Sequence, residues 1–143
     1  MSSKYRQGIF TPTNKKKFLG SKAIYRSGLE LKFMRFCDNN PNIITWGSEN
    51  VVIPYISPLD GRVHKYYVDN FVAIQEGELV KKYLIEIKPS SQTVPPTTKY
   101  KKQQHLVYEQ SMYTRNQAKW QAATEFCKTR DLQFLIITEK DLK

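Results

Sequence analysis

The chain has 143 residues, enough for one domain that buries about 70% of its unfolded surface. A formal net charge of +10 accompanies 13% aromatic residues, a content that excludes a disordered chain. No apolar run approaches the length of about 18 residues that a membrane span needs. Two cysteines, Cys37 and Cys127, are too few for a disulfide scaffold or a zinc site, and we expect both to be reduced thiols in the core.

Positive charge is concentrated towards the two ends of the sequence. Residues 1–29 contain seven basic side chains and no acid, residues 99–130 contain seven against two acids, and residues 30–88 are close to neutral. This pattern predicts a polyanion bound across the domain, with nucleic acid as the commonest partner. The alternative is a solvated surface, because charge alone indicates neither sequence preference nor chemistry.

The first predicted elements are an arm and a helix. Residues 1–20 mix Gly, Pro, Thr and Lys without periodicity, which predicts a basic arm that becomes ordered on binding, ahead of a single domain over residues 21–143. A helix is predicted from Ser21 or Ser27 to Asp38. Its apolar stripe consists of Leu29, Phe33, Phe36 and Cys37.

Strands follow this helix. Short β-rich runs at residues 43–46 and 51–55 lead into a turn at residues 57–61, which predicts a hairpin. The returning strand is predicted over residues 63–74 and a third strand over residues 79–88.

The last third of the sequence predicts a return to helix. A loop rich in proline covers residues 89–98, and a weaker helix from Lys101 to Tyr113 precedes a stronger one from Arg115 to Arg130. Residues 132–138 form a continuous apolar run, which is typical of a strand buried on both faces. The order predicts an α/β domain whose mixed β-sheet is flanked by helices.

Two neighbouring strands each direct an acid away from the predicted core. Alternation places Glu86 and Lys88 side by side on one face of the third strand. Asp69 lies on the corresponding face of the preceding strand, in a position where aspartate is disfavoured. The core-facing side chains of the third strand are then Tyr83, Ile85 and Ile87.

These residue types suit phosphodiester hydrolysis. Two carboxylates and a backbone carbonyl can hold Mg²⁺, which keeps several of its own waters. A lysine two residues from a ligand acid can orient or deprotonate the attacking water. Asp69, Glu86, the carbonyl of Ile87 and Lys88 fit these roles.

Each of these residues also has a structural interpretation. Three acid-x-Lys triplets occur in the sequence, so the spacing is a weak signal, and Glu86 and Lys88 are open to interpretation as a solvated pair. Asp69 is also open to interpretation as a polar residue of an edge strand. Ser27 and Glu30 have the spacing of a capping box, although Glu30 also borders the buried stripe and can reach over the sheet towards Asp69.

The combination resembles a known superfamily. A helix with Ser-x-x-Glu, a strand with Asp, a strand with Glu-x-Lys, and then helices and an apolar strand resemble the PD-(D/E)xK nucleases. Residues 119–139 are similar to TnsA-like endonucleases, and the whole chain resembles the head-completion nucleases of T4-like tailed phages. Val68 stands where the superfamily often has proline, which weakens the motif match.

The resemblance implies a restriction-endonuclease-like core and a Mg²⁺-dependent DNA endonuclease, with Mn²⁺ as a substitute, acting on packaged DNA ends during head completion. It assigns Glu30, Asp69 and Glu86 to the metal, and all three with Lys88 to catalysis. It also implies that Lys119 lies near the scissile phosphate. The alternative, a lysine that faces solvent, carries equal weight. The residues predicted to bind DNA are Lys15, Lys16, Lys17, Arg26 and Lys119.

The implied partners are DNA and the portal or neck proteins of the phage head, with no membrane and a monomer in solution. The implied location is the host cytoplasm during assembly, with retention in the virion left open. The competing hypothesis is a non-catalytic DNA-binding head or neck protein with a nuclease-like fold. The motifs do not exclude an RNA-directed nuclease.

Overall fold

The computed structural model describes residues 7–97 and 102–142, which form nine strands and two α-helices. The strands are β1 (Gly8–Phe10), β2 (Phe18–Leu19), β3 (Ala23–Tyr25), β4 (Ile43–Ser48), β5 (Val52–Ile56), β6 (Val63–Tyr67), β7 (Asn70–Glu76), β8 (Leu79–Ile87) and β9 (Gln133–Ile137). The helices are α1 (Gly28–Asn39) and α2 (Gln103–Lys128). Within these residues, neither helix has the length and apolar character needed to cross a membrane.

A five-stranded sheet in the order β2-β4-β7-β8-β9 organises the molecule. Its outer pairs, β2 with β4 and β8 with β9, are parallel, whereas β7 pairs antiparallel with both β4 and β8. The expected mixed sheet flanked by helices is therefore confirmed. The expectation that the last strand is buried on both faces is wrong, because β9 is an edge strand and Leu135 is 39% exposed.

Both faces of this sheet are covered, so the domain has two cores. Helix α1 packs on one face, where the buried residues include Met34, Trp46 and Ile85. Helix α2 and the β5–β6 hairpin cover the other face, around Leu84 and Trp120. The prediction of one core face on β8 is therefore wrong, and the face that carries Glu86 is itself buried.

The strand predicted over residues 63–74 is broken in two. Strand β6 pairs with β5 in a hairpin, whereas β7 belongs to the main sheet. Asp69 lies in the bend between them rather than in mid-strand, and its backbone carbonyl accepts a hydrogen bond of 3.0 Å from the N–H of Glu49. The break explains how an aspartate is tolerated here, since the position is not part of a sheet ladder.

The described part of the predicted arm packs against the core. Strand β1 pairs with β3, and the rings of Phe10 and Phe18 lie 6.1 and 4.7 Å from the ring of Trp46, measured between centroids. The buried Asp38 carboxylate accepts hydrogen bonds from the N–H groups of Thr13 and Asn14. The expectation of order only on binding is therefore wrong for residues 8–19, because aromatic contacts without sequence periodicity hold them.

The predicted helices are present, but their bounds differ from the prediction. Helix α1 begins at Gly28 with Ser27 as its N-cap, which excludes the alternative start at Ser21. The two predicted C-terminal helices are one continuous helix, α2, and the predicted start at Lys101 lies outside the described residues. Cys37 and Cys127 are free and buried, as expected.

Candidate active site

Glu86 occupies the centre of a polar cluster at the end of β8. Its side chain is buried beside the second core, and both carboxylate oxygens have a partner. The hydroxyl of Tyr66, from β6, donates to Oε1, and Nζ of Lys88 lies 3.1 Å from Oε2. The predicted proximity of Glu86 and Lys88 on one strand face is thus confirmed, in a buried setting rather than a solvated one.

Asp69 is held against the end of the same strand. Its Oδ2 accepts a hydrogen bond of 2.7 Å from the backbone N–H of Ile87. Because the N–H and C=O of an extended residue point to the same side, the Ile87 carbonyl also faces Asp69. Burial raises the pKa of Asp69 well above its ordinary 3.8, and the neighbouring charges of Glu86 and Glu30 raise it further.

Glu30 combines the two roles considered for it. Its backbone N–H donates to Ser27 Oγ at 3.1 Å, which is the first half of the expected capping box. Its carboxylate accepts from the Ser27 hydroxyl and, at 3.1 Å, from the N–H of Arg26, which precedes the N-cap, rather than from the N-cap N–H itself. Burial raises the pKa of Glu30, and the charges of Glu49 and Glu86 contribute to the same shift. Glu30 therefore lies within the electrostatic field of the site.

The donor set fits a hard divalent cation with two protein carboxylates. Over residues 7–97 and 102–142, no three Asp, Glu, His or Cys side chains come together as a metal-binding group, so Glu30 does not complete a three-carboxylate set in this conformation. Mg²⁺ is commonly held by one or two carboxylates together with water and substrate phosphate oxygens. Asp69 and Glu86 could provide such a set together with the carbonyl of Ile87, whose N–H already contacts Asp69.

Lys119 reaches the cluster from α2. Its Nζ lies 5.5 Å from the ring centroid of Tyr66. Burial lowers the pKa of Lys119, Arg115 and Lys88 lower it further, and Glu86 opposes the shift. Of the two alternatives for this lysine, the structure favours a position at the site over a solvent-facing one.

The other residues predicted to bind DNA differ in what they contact. The guanidinium of Arg26 forms an ion pair with Glu49, with nitrogen–oxygen distances of 2.9 and 3.1 Å. Nζ of Lys17 donates to the carbonyls of Cys37 and Asn40, both at 2.8 Å, and so caps the end of α1. The side chains of Lys15 and Lys16 are exposed. No ion pair of theirs occurs within the described residues.

Sequence reasoning missed two residues of this site. Tyr66 is not among the predicted site residues, but a buried tyrosine hydroxyl needs a hydrogen-bond partner, and this was the available signal. Burial and the adjacent Glu86 carboxylate raise the pKa of Tyr66. Glu49, with a left-handed φ of 51°, links Arg26 to the Asp69 backbone, and nothing in the sequence pattern indicated it.

Comparison with known proteins identifies the family of this chain. The family model described as the N-terminal domain of TnsA-like endonucleases matches residues 40–139. The chain belongs to the TnsA-like endonuclease family. The matched region of this TnsA-like endonuclease includes Asp69, Glu86 and Lys88 and leaves Glu30 outside. The family assignment confirms the expected nuclease-like core of the fold.

A curated relative extends the similarity to nearly the whole chain. The head completion nuclease of Enterobacteria phage T4 is 36% identical over 144 residues, which cover 95% of this TnsA-like endonuclease and 93% of the relative. The resemblance to TnsA-like and head-completion nucleases inferred from the sequence is therefore confirmed.

Proposed function

We propose that this protein is a Mg²⁺-dependent DNA endonuclease that processes packaged DNA ends during completion of a phage head. The observation that carries the proposal is the contact of Lys88 with Glu86 at 3.1 Å, next to the partly buried Asp69. A structural ion pair would not need a second carboxylate of raised pKa beside it. The name of the T4 relative supports the role in head completion.

The carboxylates of Asp69 and Glu86 and the carbonyl of Ile87 would hold the cation. When bound, Mg²⁺ polarises a phosphate oxygen and lowers the pKa of a coordinated water. Tyr66 fixes the orientation of the Glu86 carboxylate through its hydroxyl hydrogen bond. Lys88 positions the attacking water from its Nζ, and Glu30 contributes negative charge to the field that attracts the cation.

The surface charge supports a polyanionic substrate. The net charge of +10 attracts the DNA backbone without sequence preference, and the exposed Lys15 and Lys16 are available for phosphate contacts. Lys119 is placed to contact the phosphate at the site, because it approaches the cluster from α2. The protein would act as a monomer in the host cytoplasm during assembly, docking on portal or neck proteins of the head.

Substitution of Lys88 tests the catalytic role. Lys88→Ala should retain DNA affinity, because the remaining basic residues still supply the electrostatic attraction, while cleavage falls by about 10²-fold or more. Plasmid nicking in Mg²⁺, with Mn²⁺ and EDTA in parallel, measures cleavage, and binding is measured in Ca²⁺. Lys82→Ala is the matched control, since Lys82 is an exposed lysine on the same strand.

Two outcomes would contradict the proposal. One is a Lys88→Ala protein that cuts as fast as the parent, which would show that Lys88 has no catalytic role. The other is a parent that fails to cut with every divalent cation, and in that case the interpretation as a non-catalytic DNA-binding head protein would replace the nuclease.

A further inference from the structure

Helix α2 presents two cations one turn apart beside the active site. Arg115 and Lys119 lie four positions apart in the sequence, so their side chains lie on the same side of the helix. Both are only partly exposed. Within residues 7–97 and 102–142, neither forms an ion pair with a carboxylate. We refer to these two residues as the α2 cation pair.

Among the residues that the structure describes, the guanidinium of Arg115 has no oxygen acceptor. Its Nε is buried and has no hydrogen-bond partner among the described residues. Its Nη2 lies 3.0 Å from the Met112 sulfur, and a thioether is a weak acceptor. Because buried donors are nearly always paired in native proteins, this unsatisfied N–H is available to an acceptor that a bound ligand supplies.

The α2 cation pair is continuous with the catalytic cluster. Lys119 lies over the ring of Tyr66, whose hydroxyl donates to Glu86. The positive charges of Arg115 and Lys88 both lower the pKa of Lys119. The positive charge of the α2 cation pair therefore lies next to the Tyr66–Glu86–Lys88 contacts of the cluster.

We propose that Arg115 and Lys119 together bind a backbone phosphate of the DNA next to the cleaved bond. The planar guanidinium suits two parallel hydrogen bonds to phosphate oxygens, and the ammonium of Lys119 adds a point charge. An anion here would satisfy the orphaned Arg115 donor and relieve the repulsion between the two cations. The contact positions the strand without reading its sequence. This inference rests on the proposed function, because it takes DNA as the substrate.

The experiment measures the salt dependence of DNA binding without requiring cleavage. Binding of a short fluorescein-labelled duplex is followed by anisotropy in constant Ca²⁺, at NaCl concentrations between about 50 and 200 mM. Arg115→Gln should reduce the slope of log affinity against log salt by about 0.9, the contribution of one phosphate contact. Arg35→Gln is the matched control, since Arg35 is exposed on α1, which packs on the opposite face of the sheet. It should leave the slope unchanged.

A second variant keeps the positive charge and removes the planar guanidinium with its paired hydrogen-bond donors. Arg115→Lys should retain the parental slope but bind about tenfold more weakly, because an ammonium cannot make the paired hydrogen bonds. Thermal melts of every variant, compared with the parent, establish that each is folded. If Arg115→Gln does not fold, the affinity of Arg115→Lys alone decides the question.

The proposal is overturned if Arg115→Gln keeps the parental slope, if Arg35→Gln reduces it equally, or if Arg115→Lys binds as tightly as the parent. These results are independent of the nuclease assignment. A parent that binds DNA but never cuts would overturn the proposed function while the salt slopes still decide the role of Arg115. A parent that cuts, with an unchanged slope in Arg115→Gln, would overturn only the α2 phosphate site.

Discussion

The hydrogen bond from Tyr66 to Glu86 gives the sharpest test of the site's construction. Tyr66→Phe removes one hydroxyl and leaves the ring in place, so the packing of the second core changes little. The substitution leaves Oε1 of a buried carboxylate without its donor, while Lys88 still contacts Oε2. The expected consequence is a loss of stability that can be traced to a single interaction.

The size of the loss follows from burial and charge. Tyr66 is 3% exposed and Glu86 is 5% exposed, so water cannot readily replace the missing donor. Hydrogen bonds to ionised groups contribute about 1.5–3 kcal/mol. We therefore expect Tyr66→Phe to lower the free energy of unfolding by about 1.5–3 kcal/mol, or the melting temperature by about 5–10 °C.

Urea unfolding at neutral pH in EDTA measures this loss. Tyr67→Phe is the control, because it removes the hydroxyl of a half-exposed neighbour on the same strand and should be neutral. In a Glu86→Gln background the effect of Tyr66→Phe should shrink to about 0.5–1.5 kcal/mol, since the acceptor is then uncharged. Equal stability of Tyr66→Phe and the parent, or the same loss in both backgrounds, would refute the reasoning.

Two further predictions concern the carboxylates and the N-terminal segment. Burial and neighbouring acids raise the pKa of Asp69, so the folded state binds the proton of this carboxyl more tightly than the unfolded state does. In EDTA, the free energy of unfolding should therefore fall as the pH rises from 3.8 through the higher pKa of the folded state. Asp69→Asn should reduce this decline to the part that the raised pKa of Glu30 contributes, keep or raise stability at neutral pH and weaken Mg²⁺ binding. A loss of ~2 kcal/mol or more would instead show that the carboxylate holds the fold through the Ile87 N–H. Deletion of residues 1–22 should lower the melting temperature by about 5 °C or more, because Phe10 and Phe18 pack on Trp46 and Lys17 caps α1. An unchanged melting temperature would show that this segment contributes nothing to stability.

Local patterns in the sequence were sufficient to predict most helices and strands and to bring Asp69, Glu86 and Lys88 together. The Ser27 N-cap and the apolar residues that follow it predict α1, because both signals depend on residues within one or two helical turns. The predicted apolar stripe was wrong at Phe36, which is 44% exposed. The turn at residues 75–78 joins the strands that became β7 and β8, so Asp69 and Glu86 were expected to be neighbours. Alternation placed Lys88 beside Glu86, which the structure confirms.

Only the tertiary structure decided how those residues are surrounded. Alternation defines two faces of a strand, but whether the second face meets water depends on α2 and the β5–β6 hairpin, which lie far away in sequence. The break at Asp69 arises because β6 pairs with β5 and β7 pairs with β4, a competition between distant partners. The sequence around a basic residue likewise does not indicate which group its side chain will contact. Arg26 pairs with Glu49 and Lys17 with helix carbonyls, whereas Arg115 is left with a buried donor that no described residue satisfies.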